Sequence, residues 1–234
     1  MERQDMILNL HGESPSGANI TVLNAEEAFL PTLFTLHTRF PKLRIILEHC
    51  TSAAAIEAVK TCGPTVAATL TAHHLFLTVD DWASDPFCFC KPVAKLPSDR
   101  EALLRTAASG NPKFFLGTDS APHPVAAKRG GSDGKGKTAA GVFTQPYATQ
   151  LVLDALELGC EKGVLDAQQI TPEILEGFLG GFGRAFYRSG GAGSERITLR
   201  KSDETIIDIL SREGNSVEVV PFRRGQSTWS VSWV

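Results

Sequence analysis

The chain has 234 residues, of which 42% are hydrophobic and 21% charged, as is typical of a folded protein of one or two domains. Its net charge of −3 argues against nucleic acids and acidic membrane surfaces as partners. The five cysteines are scattered, which indicates reduced thiols. The N-terminus is unlike a signal peptide, and no apolar run approaches the roughly 20 residues that span a bilayer. Together these features indicate a cytoplasmic protein.

Apolar, strand-like runs alternate with helix-like runs along most of the chain. The predicted strands are residues 6–10, 44–48, 65–70 and 113–117. The predicted helices are residues 24–40, 51–63, 98–110, 146–160 and 171–187, with Asn24, Thr51, Ser98 and Thr171 as their first capping residues. Two short β-like runs follow at residues 205–210 and 216–222. Near-continuous apolar strands separated by helices predict an α/β fold with a parallel sheet.

Polar residues that could bind a ligand follow each predicted strand. They are His11 after the first strand, His49 after the second, His73 and His74 after the third, and Asp119 and His123 after the fourth. The carboxyl ends of parallel strands meet at one edge of a sheet, where α/β proteins build their active sites. Imidazole nitrogens and a carboxylate are ligands of zinc and other transition metals. We therefore expect His11, His49 and Asp119 to converge.

The remaining histidines are expected to be structural. His37 lies inside a helical pattern, and His73 is expected to be a hydrogen-bonded core residue. His74 could either pack in the core or support the metal ligands from behind.

Residues 131–138, GSDGKGKT, match the phosphate-loop pattern letter for letter. That loop works only between an apolar strand and a helix whose N-terminus faces the phosphates. The preceding PVAAKRG is not a strand core, and the following residues soon reach Pro146. We therefore interpret this segment as a mobile, glycine-rich loop over the active face, where it could act as a lid or contact the substrate.

Five motifs in a fixed order make the chain resemble the dihydroorotases of the homodimeric, single-function type, in the amidohydrolase superfamily. They are LNLHGE, LEHCTS, VAATLTAHHL, FCKPVAKLPSDREAL and FFLGTDSAPHP, and the likeness continues to the closing GQSTWSVSW. The resemblance implies a (β/α)₈ TIM barrel, two zinc ions and a homodimer. It also implies the reversible cyclisation of N-carbamoyl-L-aspartate to dihydroorotate in de novo pyrimidine biosynthesis.

The resemblance assigns roles to the three candidate metal ligands. His11 and His49 match two histidine ligands of the more exposed zinc ion. Asp119 matches the aspartate that binds the other zinc ion and acts as the catalytic general base and acid.

The resemblance also implies four substrate-binding residues. His123 matches a residue that contacts the substrate carboxylate. Lys91 and Ala140 match positions whose backbone groups hold the substrate, and Gly141 is adjacent.

Two features of the family have no counterpart in this sequence. The family's barrel begins with a His-x-His pair, and its fourth strand carries a carbamylated lysine that bridges both metals; the chain has neither a His-x-His pair nor a lysine before His11. Its first strand resembles the fifth of the family. The sequence therefore predicts a single incomplete barrel domain of roughly strands 5 to 8, with residues 1–190 as βα units, residues 191–234 as a C-terminal extension and the first half of the barrel absent.

Three functions stay open on the sequence. The first is a dihydroorotase whose sequence is truncated here. The second is a catalytically inactive remnant or partner-requiring fragment that binds at most one metal. The third is another cyclic amidohydrolase, such as a hydantoinase-like enzyme, against which the HGE, EHCT and GTDSAPH motifs argue.

Overall fold

A four-stranded parallel sheet forms the centre of the molecule. The structure is a computed structural model, and it describes residues 1–131, 134–191, 195–211, 214 and 217–234. The strands of the sheet, adjacent in chain order, are β1 (Leu8–Leu10), β2 (Ile45–Leu47), β3 (Val66–Leu70) and β4 (Phe114–Leu116). Each lies within one of the four predicted strands. In the register, Leu8 pairs with Ile45, and Ile45 pairs with Val66.

Helices follow the strands as the apolar periodicity predicts. The α-helices of the described residues are α1 (Ala25–Arg39), α2 (Ala53–Thr61), α3 (Val79–Ser84), α4 (Pro97–Ala107), α5 (Val125–Lys128), α6 (Ala148–Glu161), α7 (Pro172–Glu176) and α8 (Phe182–Tyr187). A π-helical segment, Gly177–Gly181, joins α7 to α8. Pro31 lies inside α1 without ending it. None of the helices described here combines the length and apolar character needed to cross a bilayer.

Two helices, α2 and α4, begin at capping residues other than those predicted. Ser52, not Thr51, caps α2, and its Oγ accepts from the amide of Ala55 at 3.2 Å. Helix α4 begins at Pro97 rather than after Ser98. Asp99 decides this start, because its carboxylate accepts from the amide of Leu96 at 3.1 Å.

Both faces of the sheet are packed, which explains why the strands read as continuous apolar runs. One face lies in the main core, formed with the helices. On the other face Ile46, Ala67 and Phe115 pack against Phe182 and Phe186 of α8.

The C-terminal strands pair with one another. They are β5 (Ile197–Thr205) with β8 (Ser227–Trp233), and β6 (Leu210–Ser211) with β7 (Glu218–Val219), both pairs antiparallel. The prediction of a strand at residues 205–210 was wrong, because the chain leaves β5 after Thr205 and re-enters a strand only at Leu210.

The phosphate-loop-like segment has helix α5 before it, not a strand. Ser132 and Asp133 of that segment lie outside the described residues. After Thr138 the chain continues without a helix to Val142, which bridges to Ser120.

Candidate functional site

Neighbouring parallel strands bring two histidines into contact. Nδ1 of His11 lies 3.1 Å from Nε2 of His49, and Nε2 of His11 lies 3.0 Å from Oε2 of Glu13. A carboxylate only accepts, so Nε2 of His11 carries the proton and Nδ1 keeps its lone pair. Two imidazole nitrogens that bind one zinc ion tetrahedrally are about 3.4 Å apart. The pair therefore fits a single metal ion, with Glu13 orienting His11.

The backbone after β2 is held in an uncommon conformation. His49 has a φ of 43°, a value that few residues other than glycine adopt. Its amide donates to Oγ1 of Thr69 at 2.7 Å, and that hydroxyl donates to Oε2 of Glu48 at 2.6 Å. Thr69 thus fixes the position of His49.

Burial and the neighbouring His11 lower the pKa of His49 to about 4. The imidazole of His49 is therefore neutral near pH 7. A neutral imidazole is the form that binds a metal ion.

Asp119 faces the histidine pair from the end of β4. The three residues line one open pocket of about 330 Å³, together with Asn9, Glu48, Gly117 and Thr118. Asp119 also has a positive φ, 41°. Burial raises the pKa of Asp119, while the nearby His11 opposes that rise. The structure therefore brings the three predicted metal residues together, although their ligand atoms do not all lie within 4.8 Å of one another.

The four predicted substrate-binding residues lie beside one another. Nε2 of His123 lies 2.9 Å from the carbonyl oxygen of Ala140. A Cβ on Gly141 would come within 2.9 Å of Cδ2 of His123, so the two segments touch. Lys91 lines one cavity with Ala140 and another with His11. Lys91 is thus the link between these residues and the histidine pair.

Sequence reasoning missed three polar residues of this site. Glu13 lies two residues after His11, and Glu48 directly precedes His49. Burial raises the pKa of Glu48, and the carboxylate of Asp119 raises it further. Thr69 gave a readable signal, since it is the only polar residue in the apolar strand β3.

A buried group of two histidines and a cysteine lies next to β3. Within the described part of the chain, His73, His74 and Cys90 are the group whose ligand atoms lie within 4.8 Å of one another. Nε2 of His74 donates to the carbonyl of Pro92 at 3.0 Å, while Nδ1 lies 2.8 Å from the hydroxyl of Thr71. The thiol of Cys90 donates to the same Pro92 carbonyl at 3.3 Å. These bonds satisfy a neutral His74 and a thiol without a metal.

The prediction of a hydrogen-bonded His73 was wrong. Its side chain is fully buried, and neither ring nitrogen has a partner among the described residues. Burial lowers the pKa of His73 to about 3, with smaller contributions from His49 and Lys128. His73 is therefore neutral in the folded protein throughout the neutral and mildly acidic range.

We expect His73 to make the protein sensitive to acid. The unfolded chain binds a proton at His73 below about pH 6.5, whereas the folded chain does so only near pH 3. Stability is therefore lost as the pH falls through this window, by about 2–3 kcal/mol at pH 4.5. Urea unfolding of the wild type and of His73→Leu at pH 7 and pH 4.5 checks this, and the variant should lose that much less. Equal losses in both proteins would contradict the expectation.

The relatives found by sequence and by structure are both dihydroorotases. No protein-family model matches the chain. The probable dihydroorotase of Schizosaccharomyces pombe is 47% identical over an alignment of 235 positions, which covers 100% of this chain and 64% of that protein. The structure of the dihydroorotase from Saccharomyces cerevisiae in complex with 5-fluoroorotic acid matches with a TM-score of 0.86 at 46% identity, over 100% of this chain and 65% of that one.

A more distant structure shares the fold. The D-hydantoinase from a Bacillus sp. AR9 matches with a TM-score of 0.75 at 12% identity, over 98% of this chain and 56% of that one. At that identity the likeness concerns the fold alone. The chain spans less than two thirds of the length of the two yeast relatives, 64% and 65%.

Proposed function

The chain belongs to the dihydroorotase family and corresponds to the C-terminal part of its members, and from this premise we propose that it serves the zinc-dependent interconversion of N-carbamoyl-L-aspartate and dihydroorotate. The observation that carries the proposal is the contact of 3.1 Å between Nδ1 of His11 and Nε2 of His49, with Asp119 in the same pocket. Two neutral imidazoles beside a carboxylate suit metal-assisted hydrolysis of an amide.

In this proposal His11 and His49 would hold one zinc ion, and Asp119 would contribute one ligand to a second. Bound zinc supplies a Lewis acid that polarises the amide carbonyl of the ring. Glu13 orients His11 through the hydrogen bond to Nε2. Thr69 holds the backbone of His49, so that its ring does not drift from that of His11.

Asp119 moves the proton. In the hydrolytic direction its carboxylate takes a proton from the attacking water and gives it to the ring nitrogen, which leaves as the carbamoyl amide. The raised pKa of Asp119 supports this role, because a stronger base is better matched to neutral pH. His123 and the backbone of Lys91, Ala140 and Gly141 bind the carboxylate and the ring of the substrate.

The finer architecture is part of the same proposal. The sheet β1 to β4 represents strands 5 to 8 of a (β/α)₈ barrel, residues 1–190 provide the βα units, and residues 191–234 form a C-terminal extension. Both outer strands, β1 and β4, lack a further partner among the described residues. A homodimer is expected by family.

The proposal is tested with the full chain loaded with zinc. We expect it to form dihydroorotate from N-carbamoyl-L-aspartate and to bind 5-fluoroorotic acid, the ligand of the related yeast structure. His37→Gln serves as a control, because His37 accepts from the amide of Gly63, away from the pocket. Zinc binding without turnover or ligand binding would favour the inactive or partner-requiring alternative, and turnover of hydantoins instead would overturn the substrate assignment.

A further inference from the structure

Lys128 is a charged side chain in the interior of the protein. It ends helix α5 and is 2% exposed. Its ammonium group donates three hydrogen bonds, to the carbonyl oxygens of Phe89 at 2.9 Å, Ala139 at 2.8 Å and Gly141 at 2.7 Å. An ammonium group has three hydrogens, so these carbonyls use all of its donors.

A buried ammonium group is costly, because it loses its hydration. Within the described ranges no carboxylate lies at salt-bridge distance from Lys128, so neutral carbonyls provide the compensation. Burial lowers the pKa of Lys128 to about 8, because the charged ammonium group is disfavoured where it loses its hydration. A methionine would fill a similar space without this cost. Packing alone therefore does not account for a lysine at this position.

The three carbonyls belong to two backbone segments that meet beside the candidate site. One segment contains Phe89 and Lys91, and the other contains Ala140 and Gly141. The segments are joined directly by the amide of Gly141, which donates to the carbonyl of Phe89 at 3.0 Å. Lys91 and Ala140 line the same cavity. Lys128 thus bonds to both predicted substrate-binding segments at once.

The amide of Ala140 is available for a ligand. The amides on either side of it are bonded inside the protein, whereas no described residue accepts from the N–H of Ala140. This N–H shares a peptide unit with the carbonyl of Ala139, to which Lys128 donates. A hydrogen bond from a cation to a carbonyl polarises its peptide unit, which makes the N–H a stronger donor.

We propose that Lys128 is a positioning residue for the substrate carboxylate. Its ammonium group locks the two segments together and directs a polarised Ala140 N–H toward that carboxylate. The inference rests on the proposed function, because it takes the carboxylate of carbamoyl-aspartate or dihydroorotate as the acceptor. Lys128 itself does not touch the ligand, since its hydrogens are all used within the protein.

The charged and titratable groups around Lys128 are Cys88, Cys90, Asp85 and His73. Burial raises the pKa of each cysteine to about 12, and the pKa of His73 is lowered to about 3. The thiols and the imidazole therefore keep their charge state between pH 7 and pH 9. A change of ligand affinity near pH 8 consequently reports on Lys128.

The test compares Lys128→Met and Lys128→Arg with Lys113→Met. Lys113 also donates to two carbonyls, those of Val59 and Cys62, but it precedes β4 and lies at the opposite end of the sheet from the site. The zinc-loaded full chain is titrated calorimetrically with 5-fluoroorotic acid. We expect Lys128→Met to weaken binding about 10- to 100-fold, and Lys113→Met to change it less than about twofold.

The pH profile adds a readout that a merely structural role would not move. Wild-type affinity should fall above pH 8 with the loss of one proton, because a neutral amine donates only two hydrogen bonds. Lys128→Arg stays charged and should lack this fall. Equal affinity of Lys128→Met and the wild type overturns the inference.

Amide hydrogen exchange separates the failure of this inference from failure of the proposed function. If the wild type binds no ligand, the proposed function fails, and exchange alone decides about Lys128. Lys128→Met should then speed exchange of the Gly141 amide, whereas Lys113→Met should not. Unchanged exchange at Gly141 overturns the positioning role. Should Lys128→Met not fold, Lys128→Gln is judged by the same criteria, because its amide keeps two donors.

Discussion

Asp119→Asn is expected to lower the rate of dihydroorotate formation by about 10²- to 10⁴-fold, because the amide cannot accept and return the proton. Asparagine has nearly the same shape and tolerates the positive φ of this position, so the fold should be kept. The measurement is the initial rate of cyclisation of N-carbamoyl-L-aspartate by the zinc-loaded chain.

Stability gives this substitution a second signature. The folded protein raises the pKa of Asp119, so the ionised carboxylate is disfavoured in the fold. Its cost is present at pH 7 and disappears as the pH falls below the ordinary range of a carboxyl group. Asp119→Asn should therefore unfold at equal or higher urea concentration at pH 7 while losing activity.

Asp154→Asn is a matched control for Asp119→Asn. Asp154, on α6, accepts from the hydroxyl of Thr228 on β8 and lies outside the pocket, so the rate should change less than about twofold. If Asp119→Asn kept more than a tenth of the wild-type rate, Asp119 could not be the general base.

His49→Ala is expected to weaken zinc binding more than about 100-fold, since loss of an outer partner alone costs 10- to 100-fold. The remaining His11 would hold the ion with one imidazole where the pair now offers two nitrogens 3.1 Å apart. Competition with a chromophoric chelator gives the dissociation constant for each variant.

Two further variants grade this effect. Glu13→Gln keeps both histidines but replaces the carboxylate that orients His11, so a loss of about 10- to 100-fold is expected. His37→Ala removes a histidine outside the site and should leave the tight zinc site unchanged. If His49→Ala bound zinc as tightly as the wild type, the histidine pair could not be the proposed metal site.

The clustering of the three candidate metal ligands was predictable, because each one follows a strand closely. His11, His49 and Asp119 come within a few residues of β1, β2 and β4, and parallel strands bring their carboxyl ends to one edge. The partners that hold these side chains were less visible. Glu48 and Thr69 act through a bond between neighbouring strands, which a local pattern does not show. Glu13 lies two residues from His11, but the spacing alone does not show that the two side chains bond.

The prediction of the fold was wrong where two neighbouring residues could both cap a helix, or where a distant segment decides the pairing of a strand. Thr51 and Ser52 are both good capping residues, and the choice of Ser52 depends on Glu26, which is buried and bonds to both. Strand β5 is polar, and its apolar and polar residues do not alternate clearly. Its partner is β8, which lies well after it in the chain, so the pairing leaves no local pattern.

The amino-acid sequence by itself determined the four parallel strands, the polar residues that follow each strand, and the family. The reason is that apolar periodicity and motif order are local properties of the chain. The tertiary structure alone decided that Nδ1 of His11 meets Nε2 of His49 and that Lys128 is buried among three carbonyls. The physical reason is that burial and hydrogen bonding depend on segments far apart in the chain. In VAAKRG a lysine reads as an exposed residue, and only folding removes it from water.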